Sequence, residues 1–473
     1  MTIRKETSKT IAIIGGGVSG VLTAFHLIRK GTPARVILID QRPDFGLGLA
    51  YSTPSLRHML NVPAGKISAL PDQPDHFLHW LRRNHDPSAT GKTFAPRAVF
   101  GRYIQSLLKS ASQIEQEIAT VVDVRQQDSG AVLTLDNGCE LRADVIVLAT
   151  GNFDPAPLPG ITKAVSDSGL YRHNAWGPET YQGLHPEASV ALIGSGLTGV
   201  DVVLRLRELG HRGRIIALSR HGIFPHRHDE YRPQSSPAIP SDTPATCAAY
   251  LRALRAAIRE GAEWRAAIDS LRETTNELWL RLPLGEKKRF RRHLQHRWDV
   301  VRHRMAPPIA DVIDSEFRNG TLEIREGCLE TVDASPAGAH ITLRVHDRKE
   351  SFYADRVINC TGPDMNYRRV RSALLQNMFQ RGLVTSGPLG AGFHCSQDGA
   401  LIDAGGRASE IIFNLGPGRL GDLIESIAVP EIRQQAVELA STLAERMRSQ
   451  FVLREETAAA STTLELTGGL VAA

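Results

Sequence analysis

The chain has 473 residues, 42% hydrophobic and 23% charged, with 56 Lys and Arg against 51 Asp and Glu for a net charge of +5. That length suits two or three domains, and the composition excludes collagen-like, disordered and disulfide-scaffold proteins. No apolar run reaches membrane-spanning length and the polar opening MTIRKETSKT has no signal-peptide core, so a cytoplasmic protein that spans no membrane is expected.

Residues 10–40, TIAIIGGGVSGVLTAFHLIRKGTPARVILID, read as strand, glycine turn, helix and strand. Gly15 allows the tight turn, Gly17 lets backbone approach a pyrophosphate, and Gly20 lets the helix pack close to the strand. Asp40, at the end of the second strand, suits a ribose hydroxyl pair. The alternative is a glycine-rich turn in an unrelated α/β protein, but strand, helix and terminal acid together favour dinucleotide binding.

DVIVLATGNFDP (residues 144–155) follows as an apolar strand ending in Thr150-Gly151. Residues 190–222, VALIGSGLTGVDVVLRLRELGHRGRIIALSRHG, then repeat the first pattern with Gly194, Gly196 and Gly199. This second unit ends in Ser219, Arg220 and His221 where the first ends in an acid. A carboxylate repels a 2′-phosphate, whereas a hydroxyl and a guanidinium bind one, so NADPH is expected over NADH; an arginine merely exposed at a strand end is the other reading.

Two units of opposite charge preference imply two dinucleotides, one resident and one visiting, as a flavin reduced by a nicotinamide requires. The order fingerprint, Thr-Gly, fingerprint, Thr-Gly is completed by DRVINCTGPDM (residues 355–365) with Thr361-Gly362.

The stretch between about 230 and 320 has apolar residues at helical spacing and reads as a helical insert over the cavity. Its basic residues, among them Arg289, Arg292, Arg297, Arg302 and Arg304, either form a solvated face or meet an acidic substrate or the NADPH phosphates. They interleave with core positions in no recognised nucleic-acid-binding module, so nucleic acid is not expected. His226, His228, His293, His296 and His303 lack a tight ligand set with a carboxylate or thiolate, so no metal is expected. The five cysteines Cys139, Cys247, Cys328, Cys360 and Cys395 are scattered, which argues against a disulfide framework, a zinc site or a dithiol pair. The last residues, ETAAASTTLELTGGLVAA, read as a frayed tail.

Four further stretches resemble a bacterial FAD/NAD(P)-binding family often called YdhS-like, related to flavin-containing and N-hydroxylating monooxygenases. They are FGLGLAYSTPSLRHMLNVPAGKISALPDQP (45–74), FAPRAVFGRYI (94–104), RWDVVRHRMAPP (297–308) and EIIFNLGPGRLGDLIESIAVPEIRQQA (410–436). The sequence departs from the monooxygenase pattern Phe-x-Gly-x-x-x-His: Gly169 and His173 are in place, but Asp167 stands for Phe.

The resemblance implies an α/β fold of two Rossmann-like dinucleotide-binding domains, the second inserted in the first. Residues 1–155 and 346–455 would form the FAD domain, 156–345 the NADPH domain with its insert, and 456–473 the tail. It adds Gln41, Val124 and Gly416 to the cofactor contacts and places Asn61 near flavin and nicotinamide, as the one catalytic candidate. An amide there both donates and accepts, although Asn before Val-Pro is also an ordinary turn former. The expected activity is NADPH-dependent oxygenation of a small molecule, such as an amine or amino acid, through a reduced-flavin adduct with oxygen. An NADPH dehydrogenase or oxidase and a non-catalytic flavin-binding protein are the alternatives.

Overall fold

The computed structural model describes residues 9–127 and 129–468, with side chains through Ser449. The apolar strand Thr10–Ile14, buried on both faces, forms the middle of a parallel sheet. Its neighbours are Arg35–Asp40 and Val145–Leu148, and Ile114–Ile118, Ala408–Asn414 and Ala400–Ile402 extend the sheet to its edges. Only the edge pair Ala400–Ile402 with Ala408–Asn414 is antiparallel. Such continuous apolar runs mark strands covered on both sides. One face packs on the helices Val18–Arg29, Arg97–Ser110 and the start of Val429–Gly468, and the other on Ala373–Gln380 and the sheet Val121–Gln127, Gly130–Leu135, Glu140–Ala143.

A second, all-parallel sheet repeats the plan in the order Leu322–Glu326, Ile215–Ser219, Val190–Ile193, Arg356–Asn359, Tyr171–Arg172. The duplication extends to the approach: in each half a three-stranded antiparallel sheet immediately precedes the strand that ends in Thr-Gly. In the second half it is Cys328–Ser335, Gly338–Val345 and Arg348–Ala354.

Three expectations shift. The return to the first unit, placed at residue 346, comes after Asn359, because 346 lies in the turn between paired strands and Arg356–Asn359 is still bonded to Val190–Ile193. The insert ends near residue 306, because Ile309, Ala310 and Ile313 of the helix Pro307–Arg318 pack into the core of the second sheet. The expected tail from residue 456 continues the helix Val429–Gly468, in keeping with the high helix propensity of its alanines; residues 469–473 lie outside the described residues.

Candidate functional site

The two glycine turns are built alike to the ångström. Gly15 donates to the Ile39 carbonyl and Gly194 to that of Leu218, both at 2.8 Å. Ala149 donates to Ile14 and Cys360 to Ile193, again both at 2.8 Å. Gly15 and Gly194 adopt φ of +113° and +118°, where L side chains are strained. A Cβ on Gly15 would stand 2.2 Å from the Ala149 oxygen, and one on Gly194 2.6 Å from that of Cys360. Each fingerprint therefore packs directly on its own Thr-Gly segment, Thr150-Gly151 for the first and Thr361-Gly362 for the second.

Gly20 and Gly199 serve the close packing expected of them, each Cβ position falling against the carbonyl oxygen of its first glycine. Helices Val18–Arg29 and Leu197–Glu208 have no side-chain cap, and their first intrahelical bonds come from Val21 and Val200. Three amides at each helix start thus remain for a ligand, the arrangement that favours a pyrophosphate.

The surroundings differ. Over the first turn lies the segment Phe45–Tyr51: a Cβ on Gly16 would strike Phe45 at 2.5 Å, and Gly17 faces Gly48. Asp40 accepts from the amides of Gly16 (2.7 Å) and Arg42 (2.9 Å), one on each oxygen, which fixes the carboxylate at the strand end. Each oxygen keeps lone-pair capacity for a ribose hydroxyl, so the donor set fits the first half of FAD. Gln41 beside it is exposed. Gly416 seats the closing loop on this helix start, where a Cβ would lie 2.6 Å from Ser19 Oγ; its N–H donates to Gln435 and its carbonyl accepts from Ser426. Val124 is buried in the core with its carbonyl bonded to Arg381.

The second turn is open. Nothing lies within 4 Å of a Cβ placed on Gly196, a space a pyrophosphate would fill. Ser219 Oγ accepts from the Gly222 amide at 3.0 Å, which shapes the turn after the strand. Arg220 is exposed and pairs with no carboxylate among the described residues. His221 stacks on His296 with ring centroids 3.6 Å apart.

Between the two halves lies a polar chamber of about 560 Å³, lined from the first unit by Asn61 and Lys66 and from the second by His228, Tyr231, Asp269 and Arg304. Half-buried Asn61 uses its main-chain carbonyl to accept from His228 Nε2 at 2.9 Å, which sets the imidazole tautomer and joins the units. Burial and then the Arg304 charge push His228 down to about 4, so its ring is neutral at pH 7. Tyr231 and Arg304 both donate to Asp269. Burial pushes the Tyr231 hydroxyl up to about 12; Asp269, though burial opposes it, is held below the usual carboxylate range by Arg304 and the Tyr231 hydroxyl.

In the same wall Arg302 meets Glu425 at 2.9 Å, their side chains 4% and 3% exposed. The basic stretch is thus of two kinds. Arg289, Arg292 and Arg297 are exposed, whereas Arg302 and Arg304 are buried and paired, which corrects the reading of one solvated face. Sequence reasoning also passed over Arg97, which crosses from the first unit to Asp201 at 2.8 Å on the helix of the second fingerprint. The signal was an acid at a buried position of an apolar helix face, in LTGVDVVLRL.

Duplicated parallel sheets, each with a fingerprint and a Thr-Gly strand, define the two-dinucleotide-binding flavoprotein fold. Residues 12–153 match the family described as FAD-NAD(P)-binding, and the chain is a relative of the uncharacterized protein YdhS of Escherichia coli K12. The two are 23% identical over 247 residues, 46% of this chain and 42% of YdhS. A Baeyer-Villiger monooxygenase of Streptomyces coelicolor is 25% identical over 210 residues, 42% of this chain and 32% of that protein. The matched stretches span less than half the length of either relative. Among solved structures, the reduced form of ornithine hydroxylase (PvdA) from Pseudomonas aeruginosa superposes with a TM-score of 0.64 at 15% identity, covering 93% of this chain and 99% of that one. No described helix is long and apolar enough to cross a membrane.

Proposed function

We propose that the protein is an FAD-dependent, NADPH-using monooxygenase of a small molecule, an amine or amino acid being the first class to test. The observation that carries this is the pair of equivalent cradles on one chain, one roofed and one open, together with a polar chamber to whose walls both units contribute. The fold shared with ornithine hydroxylase and the matches to monooxygenases support it.

FAD, when bound, supplies the redox chemistry: NADPH, a proton and oxygen are consumed, one oxygen atom enters the substrate and the other leaves as water. The chain's own groups bind and orient. Residues 1–155 and those after Asn359 hold FAD, with the amides from Val18 onward on its pyrophosphate and Asp40 on its ribose. The unit between them holds NADPH, with Gly196 giving access to its pyrophosphate and Ser219 and Arg220 meeting the 2′-phosphate. Asn61, its main-chain carbonyl tied to His228, keeps its side-chain amide as donor and acceptor for the chamber it lines, and the neutral imidazole adds no charge there.

The test is to mix the FAD-loaded protein with NADPH without air, add oxygen with a panel of amines and amino acids, and measure oxygenated product against peroxide. Product in proportion to NADPH consumed supports the reading. Rapid NADPH oxidation that yields only peroxide with every substrate favours an oxidase, and absence of flavin reduction favours a binding protein.

A further inference from the structure

The helical insert forms most of a second, partly open chamber, whose apolar walls set it apart from both cradles and whose edge includes His221 of the second unit. It measures about 770 Å³, within the roughly 300–1,000 Å³ range of small-molecule sites. Its walls come from Cys247–Arg259, Trp264–Asp269, Thr275–Arg281, Leu284–His293 and Gln295–Arg302, and include Leu254, Leu282, Phe290 and three of the five tryptophans, Trp264, Trp279 and Trp298.

The insert does not close a core of its own. Its buried apolar residues fall into two small clusters, one at Ala267 and Leu271 and one at Trp279 and Leu282, with Tyr250 packed against both. Protein interiors pack nearly as densely as organic crystals, and an unfilled apolar cavity is destabilising in proportion to its volume. Water gains few hydrogen bonds from such walls, so an apolar guest suits them better.

The charges around it have one sign: Arg255 and Arg297 line the chamber beside the imidazoles of His221, His293 and His296, and no carboxylate does among the described residues. Arg255 and Arg297 are exposed and form no ion pair among the described residues, so these cations remain available to a ligand.

This chamber stands back to back with the polar one. Ile268, Leu271, Val301 and Ile424 line the apolar side, while their sequence neighbours Asp269, Arg272, Arg302 and Glu425 line the polar side. We infer that the insert is a binding site for an apolar chain ending in a carboxylate, the chain among the tryptophans and the carboxylate on the basic edge beside Arg255. The inference does not depend on the redox reading, because the site lies behind the wall of the polar chamber.

The experiment titrates dodecanoate and dodecanol, each below its micelle threshold, into the full FAD-loaded chain while tryptophan emission and calorimetric heat are recorded. The expected result is saturable binding of one dodecanoate per chain with a change in emission, and dodecanol at least tenfold weaker. Arg255→Glu, on an exposed position, weakens dodecanoate at least fivefold and leaves flavin content and NADPH oxidation unchanged. Leu254→Trp puts an indole into the path of the apolar chain and weakens dodecanoate at least fivefold. No saturable binding of dodecanoate overturns the proposal, as does equal binding of dodecanol with no effect of Arg255→Glu. Binding to Leu254→Trp as tight as to the unaltered chain, with displacement by NADPH, assigns the anion to the second cradle and overturns it too.

Discussion

The first and second cradles share their backbone hydrogen bonds, the left-handed first glycine and the Thr-Gly strand against which it packs, yet they face different surroundings. Phe45–Tyr51 covers the first and Gly416 closes on its helix start; the second has free space at Gly196 and an exposed Arg220 that meets no carboxylate among the described residues. A roofed site with slow escape suits a resident cofactor, whereas an open site suits one that must enter and leave in each cycle. The glycines set the local geometry, and the segments packed over them make one cradle closed and the other open.

The largest effect tests that contrast directly. Gly15→Ala drives a Cβ into the Ala149 carbonyl at positive φ, and the expected outcome is protein purified with little or no flavin, read from its visible absorbance. Gly196→Ala places the same methyl in open space and should retain flavin, while the KM for NADPH rises about tenfold as the methyl occupies pyrophosphate volume. Flavin loss in both variants, or in neither, would break the distinction.

Next comes the tie between the units. Asp201→Asn leaves Arg97 facing a neutral partner in a largely buried position, and removing one member of such a pair is destabilising by about 3 kcal/mol. Urea unfolding should show the loss, and Arg97→Ala should show a similar one.

Arg220→Ala should weaken NADPH tenfold to a hundredfold, the range of a lost charge-assisted contact of about 1.5–3 kcal/mol, and leave NADH unchanged. Steady-state comparison of the two cofactors measures it, and an unaltered preference removes the 2′-phosphate assignment.

The smallest effect is a pH dependence at the seam. His228 sits near 4 when folded against 6.5 when free. Between those values the unfolded chain binds a proton that the folded one refuses, so stability present above pH 6.5 is lost as the pH falls towards 4. From pH 7 to pH 5 the loss is about 2 kcal/mol. His228→Gln, which keeps a donor for the Asn61 carbonyl, should lose less over the same interval, as denaturation at the two pH values would show.

Much of this was legible in short stretches. A strand, three spaced glycines and a terminal residue form a local unit whose backbone is dictated by neighbours in sequence, so both cradles, their order and the acid-to-basic change between them can be read from the chain. Val124 and Asn61 show where local reading stops. Val124 is engaged as a core residue by Arg381, 257 positions away, and the tie between Asn61 and His228 spans 167 positions. The buried pairs of Arg302 and Arg304 escaped notice because the surrounding sequence is dense in cations that remain exposed; only burial separates the two kinds.

By itself the sequence determined that there are two strand–glycine turn–helix units and that their second strands end in an acid in one and in Ser-Arg-His in the other, because glycine conformations and strand ends are set within a few residues. The tertiary structure decided which cradle is covered, how the return strand pairs, and that the insert holds a cavity, because each depends on segments far apart in the chain competing for the same space.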